Sequence, residues 1–184
     1  MVRIFLPLAS LSTVTLIFAM VLGLSIDDPK VATPAVQAGV QYHFLTALAA
    51  LCFATLVHAI VLTYFMGTGR WIEETSNAYR LPAAFLDRHL SLKYRTIPAM
   101  MVAFLLLLCT GVLGAAADPA SSMELTGWLG LSLARLHLSA AIFAVLVNIA
   151  VNYFEFMALE RNGEVIDQVL VEVRRIRLEK GLAV

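Results

Sequence analysis

From Val36 to Gly67 the chain runs without a formal charge, far enough to cross a bilayer as a helix, and this run holds two of the four histidines, His43 and His58. Imidazoles are costly in hydrocarbon unless something answers them, so the rest of the chain is read as company for this helix. Composition agrees: 60% of residues are hydrophobic and 14% are charged, more apolar surface than a soluble domain of 184 residues can hide. The formal net charge of zero leaves no basic footprint for nucleic acid. Cys52 and Cys109 each sit inside an apolar run, as small hydrophobes rather than a disulfide framework. No internal repeat is strong enough to organise the chain.

Four apolar runs predict four spans, at about residues 4–24, 38–66, 97–117 and 133–155. The first follows Arg3 and lacks a convincing cleavage site before Asp27, so it reads as a retained span rather than a signal peptide. Gly67 and Gly69 predict a helix end or bend. Residues 68–96 then read as an interfacial amphipathic linker anchored by Trp71 and broken at Pro82. Glu124 to Phe156 is too long for one span, so Leu125 to Ala134 is expected to lie at or dip into the interface with Trp128 as anchor. Residues 157–184 read as a helical tail whose stripe of Ile166, Val169, Val173 and Ile176 packs on a partner, a second copy or the membrane surface. Asn162-Gly163 is expected to interrupt the helix before it.

The expected fold is therefore all-α, a four-helix transmembrane bundle over residues 1–156 followed by a tail domain. Arg3, Arg70, Arg80, Arg88, Lys93, Arg95, Arg161, Arg174, Arg175, Arg177 and Lys180 fall on one side of such a bundle. Lys30 and Arg135 fall on the other. The positive-inside rule then predicts a bacterial inner-membrane protein with both termini cytoplasmic.

Counting inward along the second and fourth spans places His43 and His137 at similar depth near the outer edge. His58 lies fifteen residues beyond His43, about 22 Å deeper and offset by roughly 60° around the helix. The matching position below His137 is Asn152, with Asn148 one turn above it. These residues give a weak resemblance to the b-type cytochromes of membranes, in which two helices of a bundle each supply two histidines fourteen or fifteen residues apart. The resemblance implies haem b held by His43 and His137, with Arg135 pairing a haem propionate. It also implies His58 as a possible inner ligand opposite Met100 or Met101. Asn152 departs from the pattern.

Other readings of the same residues stand beside this one. His43 and His137 can be solvated at an interface with no cofactor bound, and His58 can hydrogen-bond Asn148 or Asn152 to tie two helices together. His89 is expected on the surface. Zinc or copper on His43 and His137 would need a loop carboxylate such as Asp27, Asp28, Asp118 or Glu124, and a magnesium tetrapyrrole would need one histidine. The function expected is an electron carrier or redox-complex subunit. The alternatives are an accessory or assembly subunit, oligomeric through its spans and C-terminal helix, or a small channel lined by His58, Asn148 and Asn152.

Overall fold

The computed structural model describes residues 1–28, 30–31, 33–123 and 126–183. Glu124, considered as a metal ligand, and Leu125, the expected start of the dipping segment, lie outside the described residues. Among the described residues the chain forms four helices, α1 (Val2–Leu24), α2 (Pro34–Tyr79), α3 (Ala84–Ala117) and α4 (Leu133–Glu179). Each is long and apolar enough to cross a membrane. They run up and down around a square. α1 packs against α2 and α4, α3 against α4 and α2, and α2 meets α4 across the diagonal.

Local chemistry sets the helix starts. Thr33 caps α2, its hydroxyl accepting from the Val36 N–H at 3.4 Å, with Pro34 at the first helical position. Ser132 caps α4 in the same way from the Arg135 N–H at 3.4 Å. α2 stops at Arg80, which takes a left-handed conformation with φ 55° and lets its N–H reach the Ser76 carbonyl. Pro82 lies in the short turn that follows, where it cannot continue the helix.

Two expected breaks are absent. α2 runs through Gly67 and Gly69 to Tyr79, and α4 runs through Asn162 and Gly163 to Glu179. All three glycines cost helix propensity, but tertiary packing on either side carries the helices through them. Residues 68–96 are therefore the far end of α2, a turn and the start of α3. The tail stripe also finds a partner within the chain. Val165 and Val169 pack with Ile72 of α2, flanked by Leu81, Phe85, Leu86, Ile166 and Val173. This extended end is where water can drive assembly, since full burial of a Val or Ile stabilises by about 1.5–3 kcal/mol.

Within the span windows the logic differs. Lipid is as apolar as a side chain, so packing comes from close contact and polar ties. Ala9, Ala50, Ala54, Ala103, Ala144 and Ala158 fill the buried faces, while Ile4, Leu11, Phe44, Leu56, Val102, Phe143 and Leu146 face outward. Phe5, Val57, Val61, Phe65, Met100 and Leu107 are buried with the alanines, but so many large apolar residues facing outward make a surface suited to a bilayer.

Candidate functional site

The two histidines expected at equal depth lie side by side. The His43 and His137 ring centres are 6.0 Å apart, with the planes at 76° to each other. Both are half-buried. His43 Nδ1–H donates to the Ala19 carbonyl of α1 at 2.8 Å, and His137 Nδ1–H donates to the Thr110 carbonyl of α3 at 3.0 Å. A carbonyl only accepts, so the proton of each neutral imidazole is on Nδ1 and the lone pair is on Nε2. Neither Nε2 has a hydrogen-bond partner among the described residues.

Each ring also lies over a glycine. A Cβ on Gly23 would come within 2.8 Å of His43 Cε1, and one on Gly114 within 2.9 Å of His137 Cε1. Each glycine sits one turn beyond the carbonyl that its histidine uses. The segments correspond: Val21-Leu22-Gly23 in α1 and Val112-Leu113-Gly114 in α3, each followed by an acidic turn and a helix bearing the histidine. The α1–α2 and α3–α4 hairpins thus build the same half-site twice. Sequence reading missed both glycines. The Val-Leu-Gly triplet was the available signal, too short to stand out before the structure showed what it packs against.

Arg135 is exposed in the first turn of α4, two residues before His137. Its side chain has no hydrogen bond or ion pair among the described residues. The loop carboxylates serve their own turns, Asp28 accepting from the Lys30 N–H and Asp118 from the Ala120 N–H. Among the described residues no group of three His, Cys, Asp or Glu converges as metal ligands.

His58 has other company. It is buried, its Nδ1 lies 2.7 Å from Glu155 Oε1, and its Nε2 lies 3.2 Å from the Asn148 amide nitrogen. With both ring nitrogens engaged, no lone pair is left for a metal. Met100 is buried in the apolar layer with Val57, Val61 and Ala103, and Met101 faces outward. The helix-tying contact between His58 and Asn148 is thus present. Glu155, the last residue of the expected fourth span and not weighed as a site residue, is fully buried.

His89 corrects the surface assignment. It is fully buried, because α2 extends past Gly69 and covers it. Its Nδ1 lies 2.7 Å from Asn162 Oδ1, Asn162 donates in turn to Thr68 at 3.2 Å, and Phe65 packs on the ring. A Cβ on Gly69 would fall 2.5 Å from His89 Nε2.

The fold and these sites define an all-α four-helix bundle whose helices are long and apolar enough to span a membrane, with polar side chains layered along its interior. No protein family, curated protein or solved structure matches this chain.

Proposed function

We propose that this chain is an integral membrane haem-binding protein, similar to b-type cytochromes, acting as an electron carrier or as the haem subunit of a membrane redox complex. The geometry of His43 and His137 carries the reading. If the two Nε2 atoms face each other in line across one metal ion, about 2 Å from it, with roughly 1.1 Å more from each nitrogen to its ring centre, the ring centres would lie about 6 Å apart. The ring centres are 6.0 Å apart. A pair of histidines does not complete a zinc or copper site. It does complete an iron whose other ligands come from a porphyrin.

The surroundings suit the same role. Histidines that ligate metals commonly donate their second N–H to a carbonyl, which fixes the tautomer and makes the free nitrogen more basic. Ala19 and Thr110 do this for the two imidazoles. Gly23 and Gly114 let the rings lie against their neighbouring helices. Arg135 is exposed at the same level and suits a carboxylate such as a propionate. Bound there, haem would supply one-electron chemistry. His58 is left out of the ligand set because its nitrogens are taken. In this reading the basic, extended end faces the cytoplasm.

The experiment is an absorption spectrum of the purified protein from haem-replete cells, before and after dithionite. A Soret band that shifts on reduction is expected, and H43A and H137A should each abolish it. A colourless preparation with no iron by elemental analysis refutes the haem reading and leaves the accessory-subunit alternative.

A further inference from the structure

The buried polar cluster below the histidine pair has a hydrogen-bond pattern that can be read in one direction only. The Ala9 carbonyl can only accept, so the Thr13 hydroxyl donates to it at 2.9 Å. Thr13 Oγ1 therefore accepts from Asn152, whose amide nitrogen lies 3.4 Å away. The same amide nitrogen donates to Asn148 Oδ1 at 3.2 Å. This turns the Asn148 amide nitrogen toward His58 Nε2, at 3.2 Å. An amide N–H can only donate, so Nε2 carries the lone pair. The His58 proton is on Nδ1, which donates to Glu155 Oε1 at 2.7 Å. His58 is therefore neutral, and the close contact with Glu155 is not an ion pair.

That leaves Glu155 without a cation. It is 0% exposed. The buried residues of the layer around it are Phe5 and Ala9 from α1, Val57, Val61 and Phe65 from α2, Met100 and Ala103 from α3, and Val151, Ala158 and Leu159 from α4. None of them titrates or carries charge. Two further acceptor atoms in the cluster, Glu155 Oε2 and Asn152 Oδ1, are buried and unpaired. They belong to residues three apart on one helix, which share a face. A bare carboxylate here would be a buried charge with one neutral hydrogen bond, an arrangement that proteins avoid.

We propose that Glu155 binds a proton on Oε2 and donates it to Asn152 Oδ1, closing a ring of hydrogen bonds through Asn152, Asn148, His58 and back to Glu155. One proton satisfies both unpaired oxygens and removes the charge. The interior of the bundle thus contains an exchangeable proton-binding site between α2 and α4, formed by Glu155 and its three partners. This does not depend on haem. The ring is complete in the chain by itself, so its test and the spectral test can fail separately.

The test is infrared spectroscopy of the full-length protein in liposomes at neutral pH. A carboxylic-acid C=O band is expected, shifting downward in D2O and lost in Glu155→Gln. Nitrogen-15 NMR of the wild type should show His58 as the neutral Nδ1–H form. Glu155→Gln can replace the acid, its amide donating to Asn152 and accepting from His58, so it should keep the wild-type melting temperature. Glu155→Ala should lose about 5 °C or more. Absence of the acid band, a band indifferent to D2O, or an imidazolium signal from His58 would overturn the proposal. So would a Glu155→Gln variant as unstable as Glu155→Ala.

Discussion

Gly67 and Gly69 lie two residues apart in the same helix, yet alanine at each should change stability in opposite directions. Around Gly67 a new Cβ meets nothing within 4 Å. Replacing it should therefore return the ordinary helix preference of alanine, about 1 kcal/mol of stabilisation. At Gly69 the same methyl would fall 2.5 Å from His89 Nε2, and that ring is boxed in by Phe65 and Asn162. Forcing it aside costs about 1–3 kcal/mol of overpacking. Separating His89 from Asn162 strands buried polar groups at about 1–3 kcal/mol more. Less the propensity gain, G69A should be destabilised by about 1–5 kcal/mol. For a chain of this size each kcal/mol moves the melting temperature by about 2–4 °C. Circular dichroism melts of G67A, G69A and wild type in one detergent would measure it. If G69A melts with or above G67A, then the close contact between α2 and His89 is refuted, and with it the argument that α2 continues because it covers that ring.

Three other outcomes follow from the same structure. G23A and G114A should each weaken the Soret band expected of the histidine pair, whereas G111A, where a Cβ meets nothing within 4 Å, should leave it unchanged; equal spectra across all three variants would count against the glycine cradle. Cys52 and Cys109 face outward within the span windows, so a membrane-impermeant maleimide should label neither in sealed vesicles, and rapid labelling would place them in water. Hydrogen bonds from the Arg175 guanidinium hold the Glu172 carboxyl below its ordinary range, so any contribution to stability exists above that range and fades as pH falls through the lowered value; because the pair is on the surface, R175A should leave the melting temperature at neutral pH unchanged, and a clear drop would show that the pair does more.

Hydrophobic run length determined the bundle by itself. A helix buries its own backbone polar groups, so an uncharged apolar run long enough to cross a bilayer has little choice of conformation there. Counting residues inward also placed His43 level with His137, since the rise per residue of a helix is fixed. Beyond the bilayer that rule no longer applies. Gly67, Gly69 and Asn162-Gly163 looked like breaks because local propensity was the available guide. Ile72, Val165 and Val169 override it through contacts between residues far apart in sequence. His89, read as a surface residue among charged neighbours, is buried for the same reason. Glu155 shows the limit best. By run length it only closed the fourth span, and the packing of α2 on α4 alone puts it against His58. Sequence fixes which residues a helix contains and how deep they sit. Which polar groups meet across the bundle depends on the rotation of each helix about its axis, and that is set only when all the helices pack together.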